Sequence, residues 1–117
     1  MQMNEISFGG AQPVDGYGPG FFRVGGRPLG GALCLSSDGC RSWGGLDDAE
    51  ALLALAGDVD VLFVGTGAEI APLPTALRER LEDAGLGVEV MNTPSACRTY
   101  NVLLGEGRRV ALAVVPV

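Results

Sequence analysis

In the second half of this chain two runs of four or more residues are apolar at every position: Val61-Leu62-Phe63-Val64 and Val110-Ala111-Leu112-Ala113-Val114-Val115. A strand with one wet face alternates apolar and polar residues, so runs without alternation predict strands covered on both faces. Between them the period changes. Leu73, Leu77 and Leu81 recur at helical spacing, with Arg78 and Glu82 placed to pair across one turn. Gly87–Met91 then alternates, Val88 and Val90 on one face and Glu89 on the other, the polarity of an edge strand. Ala96, Cys97, Tyr100, Leu103 and Leu104 make a second helical stripe. This alternation of strands and helices over Asp60–Pro116 predicts an α/β fold with helices against a sheet and the final strand in its interior. Simple βαβ logic makes the last three strands parallel.

Turn and cap residues set the element ends. Pro72 and Pro74 introduce the second helix and Gly85 stops it, while Thr93 reads as N-cap of the third, with Pro94 at its first position. That helix runs over residues 94–104 and ends around Gly105-Glu106-Gly107. Asp47, with Glu50 three residues on and Leu46 before it, resembles a capping box for the first helix. Ala49, Leu52, Leu53 and Ala56 form its inward stripe and Gly57 its stop. Trp43 is expected to plug the core edge with its indole N–H bonded, a ligand-stacking platform being the alternative.

Residues 1–20 form a glycine-rich lead-in, with Ile6 and Phe8 alternating as in a short strand and Tyr17-Gly18-Pro19-Gly20 as a turn. The alternative makes it a lip over a site, with Tyr17 or Asp15 facing a ligand. Phe21–Val24 reads as a strand, Gly25-Gly26 as a hairpin turn, and residues 31–36 as the returning strand. Ser36-Ser37-Asp38-Gly39 is a second turn.

Composition removes several chemistries. With 117 residues the chain makes one domain, 1–117, large enough for a real core. Histidine is absent, which excludes Cys–His and Ser–His dyads and His-ligated zinc; no catalytic set, metal site or cofactor is expected. A net charge of −6, with arginine the sole basic residue type, argues against a nucleic-acid partner. No apolar run approaches membrane-spanning length, and the start MQMNEISFGG carries no signal pattern, so a cytoplasmic location is expected. Cys34, Cys40 and Cys97, odd in number and irregularly spaced, fit a reducing compartment.

The run Cys97-Arg98-Thr99-Tyr100-Asn101 lies between Met91-x-Thr93 and Glu106-Gly107-Arg108-Arg109. Together with Asp15-Gly16-Tyr17-Gly18-Pro19-Gly20 and Gly65-Thr66-Gly67, it resembles a family of small bacterial and archaeal proteins of unknown function. That family includes the mitochondrial assembly factor three of respiratory complex I. The resemblance implies a mixed five-stranded sheet whose last strand is central and antiparallel to the others, and this direction is the expectation adopted. It also implies a non-catalytic interaction or assembly module with a protein partner.

The alternative is a small-molecule or anion binder, even an enzyme, in the crevice at the strand C-terminal ends. Gly65-Thr66-Gly67 lacks both nucleotide-loop patterns and reads as a tight turn. Beside it, Thr66, Gly67, Thr93, Arg98 and Asn101 are the candidate anion-binding set, because a helix start offers amides to an anion. Arg98 works against its own helix dipole, so an ion pair with Glu106, an acidic partner or a ligand anion must account for it. Cys97 lies near a helix start beside an arginine, yet on the apolar stripe; a structural, slowly reacting thiol is expected. A homo-oligomer through exposed Phe21, Phe22 or Trp43 is the third possibility.

Overall fold

In the computed structural model, which describes residues 10–117, both apolar runs are interior strands of one sheet. The strands are β1 (Gly16–Gly18), β2 (Phe21–Val24), β3 (Arg27–Gly30), β4 (Leu33–Ser36), β5 (Gly39–Ser42), β6 (Val61–Gly65), β7 (Gly87–Met91) and β8 (Val110–Val114). The helices are α1 (Ala49–Leu53), α2 (Thr75–Asp83) and α3 (Thr93–Gly105), with a 3-10 turn at Gly45–Asp47. Strands β1-β2-β3 form a small antiparallel sheet, and a mixed five-stranded sheet runs in the order β5-β4-β8-β6-β7. The Ile6 and Phe8 alternation lies outside the described residues.

Side-chain parity divides the core into two layers. Leu62 and Val64 of β6 and Ala111 and Ala113 of β8 face α1 and α2, where Leu52, Leu77, Leu81 and Trp43 close the layer. The intervening residues, Phe63, Leu112 and Val114, face α3 and the small sheet, meeting Ala96, Cys97 and Tyr100 of α3 and Phe22 and Val24 of β2. Both runs are thus apolar at every position because each strand serves two cores. The connection β6-α2-β7 steps outward across the sheet, and β7-α3-β8 steps back over β6. Right-handed crossovers travelling in opposite directions place their helices on opposite faces, as α2 and α3 are.

The five-stranded mixed sheet and its central last strand match expectation, but the direction of that strand is corrected. β8 is parallel to β6, with Val61 opposite Val110, and antiparallel only to β4, with Leu33 opposite Val114. The crossover helices force this: a strand reached from β7 through a returning helix must run parallel to it.

Two upstream expectations are also corrected. The strand returning from Gly25-Gly26 is β3, starting at Arg27, and β4 belongs to the other sheet. Gly25 and Gly26 take φ of 61° and 78°, the backbone of a two-residue turn, which leaves no room for a longer loop. Pro28 sits within β3 because that strand is an edge, where one face of the backbone needs no partner. Strand β5, beyond the turn at Ser37-Asp38, carried no alternation to announce it. At the first helix the N-cap is Asp48, whose carboxylate accepts from the Ala51 and Gly44 amides, while Asp47 falls in the preceding 3-10 turn. The Trp43 indole is buried and donates to the Asp48 carbonyl at 3.1 Å, the expected core plug.

Candidate functional site

Helix α3 and the Gly65-Thr66-Gly67 turn meet where β6 and β8 end. Gly65 permits the approach: a Cβ there would stand 2.9 Å from the Thr93 Cα and 2.7 Å from a Val114 methyl. Asn92, not Thr93, caps the helix, its side-chain oxygen accepting from the Ser95 amide at 2.8 Å, so Pro94 becomes the second helical residue. Thr93 is fully buried and does something else. Its Oγ1 accepts from the Gly67 amide at 2.8 Å and donates to the Val115 carbonyl at 2.7 Å, while its amide donates to the Gly67 carbonyl at 2.8 Å. Thr66 Oγ1 is likewise occupied, donating towards the carbonyls of Glu69 and Met91 and accepting from the Ala71 amide at 2.9 Å.

The structure therefore brings Thr66, Gly67 and Thr93 together as a knot of backbone partners. It does not bring the rest of the candidate set to them. The Asn101 side chain forms a two-bond bridge with Val14, accepting from its amide at 2.9 Å and donating to its carbonyl at 2.8 Å. One residue earlier the Tyr100 hydroxyl donates to the Gln12 carbonyl at 2.8 Å. Both polar groups hold residues 12–14 against α3. Arg98 points to solvent; among the described residues its side chain has neither a hydrogen bond nor an ion pair, with Glu106 or any other acid. The amides of the first turn of α3 are also committed: Thr93 to Gly67, Ser95 to Asn92 and Ala96 to the Asn92 carbonyl, while Pro94 has none.

Burial pushes the Cys34 and Cys97 thiols up from 9.0 to about 11, for Cys34 against the pull of Arg41. Cys40, half-buried on the edge strand β5, is raised for the same reason, and Tyr100 is raised well above its ordinary value by burial first and the neighbouring thiols second. The described residues hold no group of three or more His, Cys, Asp or Glu side chains arranged for a metal. Asp15, at the lead-in, accepts from the Gly26 amide at 3.0 Å and donates its own amide to Arg23, which pins the small sheet; Tyr17 is exposed. Phe22 and Trp43 are buried, so neither is an exposed contact. No described helix is long and apolar enough to cross a membrane.

A family model described as protein of unknown function (DUF498/DUF598) matches residues 14–115. An uncharacterised protein of Rhodobacter capsulatus is 52% identical over 116 residues, covering 99% of this chain and 94% of that one. NADH dehydrogenase (ubiquinone) 1 alpha subcomplex assembly factor 3 of Danio rerio is 30% identical over 107 residues, 86% of this chain but 62% of the relative's own length. Among solved structures, an outer membrane protein from Bartonella henselae superposes with a TM-score of 0.85 at 32% identity, covering 94% of this chain and 99% of that one.

Proposed function

We propose, because this chain belongs to the DUF498/DUF598 family of proteins of unknown function, that it is a non-catalytic interaction module holding a partner protein during assembly of a larger complex. The observation that carries this reading is where the polar groups of the signature motifs go. Thr66, Thr93, Tyr100 and Asn101 each bond to backbone of another segment, and Cys97 is a buried thiol held protonated at neutral pH. Residues used in this way build a rigid scaffold and are not themselves free to attack a substrate. Similarity to an assembly factor of respiratory complex I points in the same direction. In this reading the chain acts as one α/β unit, needs no cofactor or metal, and contacts protein, since a net charge of −6 repels nucleic acid. We place it in the cytoplasm, where three unpaired cysteines stay reduced.

The test is purification of a tagged chain, expressed at its native level, under gentle conditions. Co-elution with one specific protein at fixed stoichiometry is expected. The competing reading gives Thr66, Gly67, Thr93, Arg98 and Asn101 an anion. It would prevail if the chain eluted alone and phosphate or a carboxylate shifted the Thr66, Gly67 and Thr93–Cys97 amides while raising the melting temperature. With those amides already bonded inside the fold, we expect them to stay still.

A further inference from the structure

The solvent face of α3 carries Arg98, Val102 and Glu106 at intervals of four residues, so the three form one stripe along the helix. All three are exposed, Val102 by 54%. Neither charged side chain has an ion pair or hydrogen bond among the described residues. Their order is also reversed relative to the helix dipole. Arg98 lies in the N-terminal half, towards the positive end, and Glu106 caps the negative end. Every other polar residue singled out on this helix, Asn92, Thr93, Tyr100 and Asn101, has a partner inside the fold. The stripe has none.

We propose that this stripe is a self-association surface whose occupant is α3 of a second copy of the chain, running antiparallel across a two-fold axis at Val102. The argument is charge complementarity. A sequence of cation, apolar residue and anion, evenly spaced, is its own complement when reversed. Four residues of helix separate each charge from Val102, roughly 6 Å along the axis. An antiparallel neighbour therefore sets Arg98 opposite Glu106 of the other copy, twice, with the two Val102 side chains packed on the axis. Such an interface is isologous and closes at two copies. The reversed dipole placement is resolved by the same step, since each arginine comes to the negative end of the neighbouring helix and each glutamate to its positive end. The exposed Gly105, next along the face, leaves room for close approach.

One helix pair covers less than the roughly 1,200–2,000 Å² of a stable interface. The dimer is accordingly weak and exchanging, with a dissociation constant of roughly 0.1 mM at low salt. This inference is independent of the assembly reading, because it needs no other protein.

Sedimentation velocity from about 10 µM to about 1 mM, at low and high salt, reads it directly. The wild-type chain should pass from monomer to dimer, less readily as salt rises. Arg98→Glu and Glu106→Arg should each weaken association about tenfold or more, since the two-fold axis makes each substitution act at two pairs. The double variant restores both pairs with their signs exchanged and should recover most of the affinity. Val102→Asp puts like charges together on the axis and should abolish the dimer. Circular dichroism confirms the fold of each variant, all three sites being exposed. A wild-type chain that stays monomeric to the highest concentration overturns the inference and leaves the assembly reading untouched. So does a double variant no better than the single ones.

Discussion

With its hydroxyl shared between the Gly67 amide and the Val115 carbonyl, Thr93 joins the β6 turn, α3 and the segment after β8 through one atom. Replacing it by valine keeps the volume and leaves both partners without a bond. We expect Thr93→Val to lower stability by about 2–3 kcal/mol, seen as a lower urea midpoint with an unchanged slope. Asn101 is the second such residue, and Asn101→Ala should cost about 1–2 kcal/mol and loosen the exchange protection of the Val14 amide before that of the core. The thiols make a prediction of a different kind. Cys34 and Cys97 titrate at about 11 in the fold, against 9.0 when exposed. Between those values the unfolded chain holds fewer protons than the folded one, so stability falls as pH rises. Stability contributed by the two buried thiols is thus complete below pH 9 and lost progressively towards 11. Thermal melts should show a flat neutral region and a decline starting near pH 9. Neutral-pH labelling of Cys97 by a thiol reagent should be no faster than global unfolding permits; quick stoichiometric labelling of the intact fold would contradict its burial.

At the scale of elements, the sequence carried the helices and the strands β6, β7 and β8 well, down to the first residue of each of these strands, but placed the starts of the first and third helices poorly. Asn92 and Thr93 are both good caps, and Pro94 is tolerated at the first helical position or the second. Nothing local chooses between them. The choice is made by Gly67 and Val115, neither adjacent in sequence, which take the Thr93 hydroxyl and leave capping to Asn92. Asp47 and Asp48 present the same ambiguity, decided by the Gly44 amide and the Trp43 indole. The candidate site was legible to the same extent. Thr66, Gly67 and Thr93 do converge, because strand ends and a helix start at neighbouring positions in one sheet must meet. That their polar atoms would face each other instead of solvent depended on how closely α3 approaches β6. Gly65 sets that approach, and Gly65→Ala should be costly for so small a change. The added carbon would stand 2.7 Å from a Val114 methyl and 2.9 Å from the Thr93 backbone, so the helix has to move. A loss of about 2–3 kcal/mol is expected, with chemical-shift changes concentrated at 65–67 and 92–96.

For the whole molecule, the unbroken apolar character of β6 and β8 was enough to predict two covered faces, and the connection rule gave the last three strands one direction where the resemblance, followed on this point, did not. The small sheet was harder to see. A two-residue glycine turn demands an immediate return strand, and the strand placed instead at residues 31–36 proved to belong to the other sheet. The edges are managed as a natural sheet manages them: Glu89 places a charge on the outer strand β7, where a bare apolar edge would invite further strands. The central position of β8 has a consequence in time. Of the described strands it is the last to be synthesised, yet it separates β4 from β6 and pairs with both. Until a ribosome has released residues 110–114, the earlier strands have no common neighbour, and the two core layers have nothing to close upon. This unit therefore waits, with Leu62, Phe63 and Val64 exposed, for residues 110–114, and closes only after they emerge. Stalled chains of increasing length should stay protease-sensitive until residue 114 clears the exit tunnel, then become resistant in a single step.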